Sequence, residues 1–278
     1  MQYSVYHQTV FHFDSAPQSV VQRLHLTPLS HANQNVIEWD VKVDGGGIQL
    51  GSDDFHGNRI HLCEHDLSGP TMAVSCHGYV EVVDGNGIWG EHENAVPLML
   101  YQRSTPLSKA GPRLGKIAAE MSVVKKKKEV GDVELLHALS KRILECIEYK
   151  KGETDVTTTA EKAMEIGAGV CQDHVHAFTS VARLLGYSAR YVSGYMFMED
   201  MLVQKASHAW AEVYVKGLGW LGFDISNAIS PDDRYIKLAT GFDYSDVVPL
   251  AGIRIGEGRE TLMTSISCLL YTSPSPRD

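Results

Sequence analysis

No stretch of this chain approaches the roughly 18 to 20 consecutive apolar residues that a membrane-spanning helix needs. The opening MQYSVYHQTVFHF alternates polar and apolar residues and has neither the basic start nor the continuous apolar segment of a secretory signal, so the expected location is the cytoplasm. Basic charge is in deficit: 25 Lys and Arg against 34 Asp and Glu leave a net charge of −9, which argues against a nucleic-acid footprint. The one basic run, Lys125 to Lys128, has no interleaved aromatics and reads as a solvated helix end or loop. Cysteine is scarce too. Five residues (63, 76, 146, 171 and 268) form no CxxC pair, which suits reduced thiols rather than a disulfide framework. There is no D-x-[DN]-x-[DN]-G calcium loop. The triplet His61-x-Cys63-x-His65 would share one face of a strand but lacks a fourth ligand at typical spacing, so neither a metal nor a cofactor is expected.

What is present fits a soluble globular chain of 278 residues, 44% hydrophobic and 21% charged, long enough for one large domain or two ordinary ones. From Tyr3 to about Trp89 the hydrophobic pattern has period 2, in short runs separated by DSAPQS, DGGG, HGN, LSGP and DGNG. Residues 1–95 therefore read as an antiparallel β-sandwich-like module, with Asp84-Gly85-Asn86-Gly87 as a tight hairpin turn. Residues 94–114 hold three prolines and no clear period, and 96–130 are expected to be a linker and connecting helix.

Helical spacing begins after this boundary. GDVELLHALSKRILECIEYKKG predicts an amphipathic helix opened by Gly131-Asp132 and stopped by Gly152, with Cys146 close to its apolar stripe as a core thiol. TAEKAMEIG predicts a short helix ended by Gly167. A further helix opens at Cys171, carries Val175, Phe178, Val181, Ala182, Leu184 and Leu185, and stops at Gly186. SARYVSGYMFM, SHAWAEVYV and LGWLGFDIS then alternate as strands. A helix feeding an antiparallel sheet is an α+β layout.

Cys171 stands behind the glycines of GAGVC, at about the first turn of its helix. The partial positive charge there favours a thiolate, and the unpaired amides of a first turn can bind an oxyanion. Its partners lie on the later strands. His208 opens one alternating run and Asp224 closes the next, with Lys216 to Gly219 (KGLG) as the hairpin turn between them, so adjacent strands would bring the two within reach. A carboxylate holding one imidazole nitrogen leaves the other free to take the thiol proton.

GVCQDHVHAF, ARYVSGY and SHAWAEVYVKGLGWLGFD resemble the transglutaminase-like superfamily of papain-like architecture, and the N-terminal strands resemble the β region that precedes this core in its bacterial members. The resemblance implies a catalytic core at 131–262, with Cys171 as nucleophile, His208 as general base and acid, and Asp224 as the orienting carboxylate. Gln172 departs from the arginine common after the cysteine in bacterial members, whereas Asp173 matches. Gln172, Asp173, Trp210, Tyr149 and Tyr195 are candidates for the substrate cleft, although core packing is the first reading for Trp210 and Trp220 and lining the cleft the second. His174 is assigned a place behind the residues of the cleft or on the surface, with a place near the cleft as the competing reading.

The implied chemistry is acyl transfer on a peptide or isopeptide-type amide, with hydrolysis favoured and transamidation the alternative; a noncatalytic peptide-binding scaffold is the reading from a different class. The expected partner is a protein or peptide substrate, with neither nucleic acid nor membrane. After Glu260 a closing strand is expected, but the alternation stops near Ser267. SCLLYTSPSPRD resembles the translation of a sequencing-library adapter, so 267–278 is expected to be non-native and to stand outside the fold.

Overall fold

The structure is a computed structural model and describes residues 1–65, 69–93, 95–127 and 130–271; Lys128 of the basic run and the 272–278 part of the tail lie outside the described residues. Six strands open the chain: β1 (Gln2–Phe13), β2 (Ser19–Thr27), β3 (Gln34–Asp44), β4 (Gly46–Asp53), β5 (Arg59–His65) and β6 (Thr71–Val82). A single-turn 3-10 segment at Leu98–Gln102 leads to helices α1 (Pro112–Lys125) and α2 (Asp132–Cys146). The two-residue strand β7 (Glu148–Tyr149), α3 (Ala160–Ile166), β8 (Ala168–Gly169) and α4 (Cys171–Leu184) follow. The chain ends with β9 (Ala189–Met196), β10 (His208–Val215), β11 (Gly219–Phe223), β12 (Tyr235–Gly241), the turn-like α5 (Tyr244–Val247), β13 (Leu250–Ile255) and β14 (Glu260–Leu270). No helix among the described residues is long and apolar enough to cross a membrane.

The architecture is α+β with mostly antiparallel sheets, as the sequence pattern implies. Two four-stranded sheets, ordered β14-β1-β6-β3 and β13-β2-β5-β4, form the β module. Leu24, Leu26, Cys63, Val74 and Cys76 meet between them, and the Trp39 indole of one sheet donates to the Leu26 carbonyl of the other at 2.8 Å. Period-2 alternation explains the packing, since successive side chains of a strand take opposite faces.

The last two strands depart from the sequence reading. It assigns residues up to 262 to the core and sets those from 267 outside the fold, whereas β13 pairs with β2 and β14 pairs with β1 from Phe13↔Glu260 to Tyr3↔Leu270. Each thereby covers the free backbone groups of a strand that would otherwise be a sheet edge. The broken alternation near Ser267 does not end the strand, and Cys268 is buried. The chain thus begins and ends in the β module, with the core between.

The core sheet has the order β11-β10-β9-β12. On one face Val175, Phe178 and Val181 of α4 pack against Ala189, Ala209, Ala211, Val213 and Phe223. The other face is closed by Val192, Trp210, Trp220 and Tyr235 together with Trp89 and Tyr101. Asp84 to Gly87 does not join two hairpin strands: Asn86 and Gly87 adopt positive φ, and the turn sends the chain to β11, where the Trp89 amide donates to the Trp220 carbonyl and the Trp220 amide to the Gly90 carbonyl. The Lys216 to Gly219 turn does join β10 to β11, with Gly217 and Gly219 at positive φ.

Candidate active site

Two short stretches of backbone set the position of Cys171. Helix α2 stops at Cys146, well before Gly152, because Ile147 turns into the core and β7 pairs in parallel with β8. This lays Glu148 and Tyr149 alongside Ala168 and Gly169, the residues just before the thiol. Gly167 ends α3 in the left-handed region at φ 74°, as its place after the helical pattern suggests. A Cβ on Gly169 would stand 2.6 Å from the Asp173 carboxylate, so only glycine lets the chain pass there.

Asp173 is the pin of this turn. It is 1% exposed, and its Oδ2 accepts from the Val170 amide at 2.8 Å and from Thr154 Oγ1 at 2.7 Å. A carboxylate in the first turn suits the positive end of the helix. Cys171 is the first helical residue, half-buried, and its amide belongs to the set that no intrahelical carbonyl can accept.

The core sheet brings up the partners. His208 Nε2 lies 2.6 Å from Asp224 Oδ2, and Cys171 stands close enough to His208 to act on its charge. Since Nε2 is engaged by the carboxylate, Nδ1 is the nitrogen left for the thiol. Burial alone would push His208 down, but Asp224 and Cys171 outweigh it and raise the imidazole to about 10. Burial likewise favours a neutral Asp224; its bonds from His208, Asn227 and Tyr235 reverse this and hold the carboxyl below its ordinary range. Asp224 Oδ2 accepts from Asn227 Nδ2 and from the Tyr235 hydroxyl, both at 2.7 Å, while the Asn227 amide reaches Oδ1 at 3.2 Å. The arrangement can hold a proton on His208 beside a thiol, with a fixed carboxylate behind it.

The proposed cleft residues divide. Tyr149 is 46% exposed, and its hydroxyl is raised by burial and by the nearby Cys171 and Asp224 charges, which places it beside the thiol. Gln172 is partly exposed and donates to the Val156 carbonyl at 3.2 Å. Asp173, Trp210 and Tyr195 are not cleft residues. Asp173 is buried under the helix start. Trp210 is 0% exposed, because Trp89, Trp220 and Tyr235 pack over it on its face of the sheet. Tyr195 is buried with its hydroxyl 2.8 Å from His7 Nδ1, facing the β module. Trp220 is also core. His174 is fully buried, bonded to Ser226 Oγ and the Ile147 carbonyl, both at 2.8 Å, so it ties α4 to the Asp224 loop.

Asn227, Tyr235, Tyr191 and Tyr244 escaped the sequence reading. The first could have been found, since Asp-x-x-Asn is a local turn pattern whose side chains bond nearby groups. Tyr235 comes from the far strand β12, and only the sheet order shows it. Tyr191 and Tyr244 are both raised by burial and by the neighbouring Cys171. At the β5 triplet, His65 Nε2 is 2.9 Å from Gln22 Oε1, an ordinary core bond, and no cluster of three or more metal-ligating side chains occurs among the described residues.

A half-buried thiol at a helix start, an imidazole on the facing sheet and a carboxylate one strand further define a cysteine-type catalytic fold. Residues 116–225 match the Transglutaminase-like superfamily and residues 3–81 match the Bacterial transglutaminase-like N-terminal region, so a transglutaminase-like core follows a bacterial transglutaminase-like N-terminal region. Among its relatives are uncharacterized proteins of Mycobacterium tuberculosis, 27% identical over 278 residues (90% of this chain, 87% of the relative), and of Mycobacterium leprae, 27% identical over 268 residues (93% and 95%). A solved structure described as "a Putative Cysteine Protease from Cytophaga hutchinsonii" superposes with a TM-score of 0.76 at 19% identity, covering 99% of this chain and 93% of the other.

Proposed function

We propose that the protein is a cysteine-dependent acyl-transfer enzyme acting on peptide or isopeptide-type amides, with water as the usual acceptor. The observation that carries this reading is the His208 imidazole, held on one nitrogen by Asp224 at 2.6 Å and influenced by the neighbouring Cys171. In the first half-reaction the thiol proton passes to His208 and the thiolate attacks the amide carbonyl. The first-turn amide of Cys171 stabilises the oxyanion, and His208 returns the proton to the departing amine. In the second, His208 takes a proton from water, which attacks the thioester, releases the carboxylic acid and restores the thiol. An incoming primary amine in place of water would give transamidation by the same steps.

Intact-mass spectrometry after incubation with a peptide library, with and without an added primary amine, tests the reading. Hydrolysis yields shortened or deamidated peptides that need Cys171, and amine incorporation marks transamidation. Binding with neither turnover nor an acyl adduct on Cys171 would leave the scaffold reading.

A further inference from the structure

A pocket of about 240 Å³ opens between the β module and the core, on the side where the chain enters strand β10 at His208. Ser207, the neighbour of His208, forms part of its wall, and so does Tyr244, whose hydroxyl feels the Cys171 charge. We propose that this pocket is a substrate subsite built largely by the β module, which takes an uncharged, mid-sized apolar side chain next to the reacting carbonyl and rejects a basic one. The proposal rests on Cys171 being the nucleophile and adds which residues read the substrate.

Three features carry it. The first is size and lining: an apolar cavity of about 150 Å³ holds a benzene ring. This pocket is larger, and Leu250 of β13 and Leu262 of β14 supply apolar wall.

The second is charge. Lys205 is the one cation of the lining and is exposed at its edge, and no acidic side chain lines the pocket among the described residues. Burial pushes His7, at the back, down to about 4, so it adds no charge at neutral pH. A lysine or arginine side chain entering here would meet Lys205 with no carboxylate to receive it.

The third is rigidity. Thr264 at the wall bonds Thr9 at 3.1 Å, Thr9 bonds His7 Nε2 at 3.1 Å, and His7 Nδ1 meets the buried Tyr195 hydroxyl at 2.8 Å. This chain ties the pocket wall to core strand β9, so the shape of the subsite is fixed to the frame that carries the reacting groups. Thr9 stands directly opposite Thr264 in the β1–β14 pairing, which sets up the first bond of this chain.

The test measures second-order rates of Cys171 alkylation by peptidyl chloromethyl ketones that carry Leu, Ala or Lys next to the reactive carbon, read by intact mass. Each rate is divided by that of iodoacetamide on the same variant. Discrimination by a shaped pocket predicts a Leu probe about tenfold or more faster than a Lys probe. Thr264→Trp, which fills the pocket, should remove most of the Leu advantage over Ala, and Lys205→Glu should bring the Lys probe toward the Leu probe. Equal rates for the three probes, or a Leu-to-Lys ratio unmoved in both variants, overturn the subsite. Iodoacetamide that fails to label Cys171 faster than a free thiol strikes instead at the nucleophile assignment itself, so the two failures are separable.

Discussion

Strand β10 carries two buried charge clusters four positions apart, and they differ in what they can do. At its start His208 pairs with Asp224 and faces a half-buried thiol. Further along, on the same side of the strand, Glu212 is fully buried and held by Arg190 Nη2 and Lys237 Nζ, each at 2.6 Å. Arg190 stacks on Trp220 and Lys237 on Trp89, each with its charge 4.0 Å from the ring centroid. In the second cluster two cations meet one carboxylate, and aromatic faces take up the remaining positive charge. Each cluster holds a cation moved from its ordinary value: His208 is raised to about 10 by its neighbours, and burial lowers Lys237 to about 8. Perturbed titration therefore does not distinguish them; a nucleophile within reach does.

Cys171→Ala should have the largest effect, a loss of amide turnover by at least about four orders of magnitude with the fold retained, measured by peptide hydrolysis and thermal denaturation. Turnover that survives would remove the contrast between the clusters. Asp224→Asn comes next, lowering kcat by roughly 10² to 10⁴ by loosening the imidazole and its charge. The His208 imidazolium persists until pH rises through about 10, so the alkaline limb of kcat/KM should lie near there in the native protein and move to lower pH in this variant. The sign for stability follows the same pair. The charged form contributes fully below the ordinary histidine value near 6.5, and its contribution fades as pH climbs toward 10.

Glu212→Gln tests the other cluster. It leaves two buried cations without their carboxylate and should cost about 3 to 5 kcal/mol in denaturant unfolding, while Cys171 in the folded fraction reacts with iodoacetamide at a rate within about twofold of native. A collapse of that rate would mean that the clusters are coupled. Tyr235→Phe should have the smallest effect, about 1 kcal/mol in stability and a slight fall in kcat, since Asp224 keeps its bonds from His208 and Asn227.

Much of this was legible in local patterns. Period-2 runs marked the N-terminal strands, glycines marked the ends of α3 and α4, and the two strands flanking the Lys216 to Gly219 turn put His208 and Asp224 side by side. These signals are short-range, set by side-chain alternation and by turns that need positive φ. The errors share a cause as well. Trp210 and Tyr195 look like cleft residues beside His208, yet which face of a strand opens to substrate depends on what covers the other face. Asp173 follows the thiol in sequence but turns under the helix, because the nearest unpaired amide is that of Val170.

The sequence by itself determined the helix that opens at Cys171, the hairpin that sets His208 beside Asp224, and the cysteine-type fold these imply, because each depends on residues within one or two elements. Only the tertiary structure decided that β13 and β14 return to the N-terminal sheets, that Tyr235 steadies Asp224, and that Tyr195 turns toward His7 of the β module. Those facts depend on backbone pairing between strands as far apart as Tyr3 and Leu270, which no local periodicity encodes.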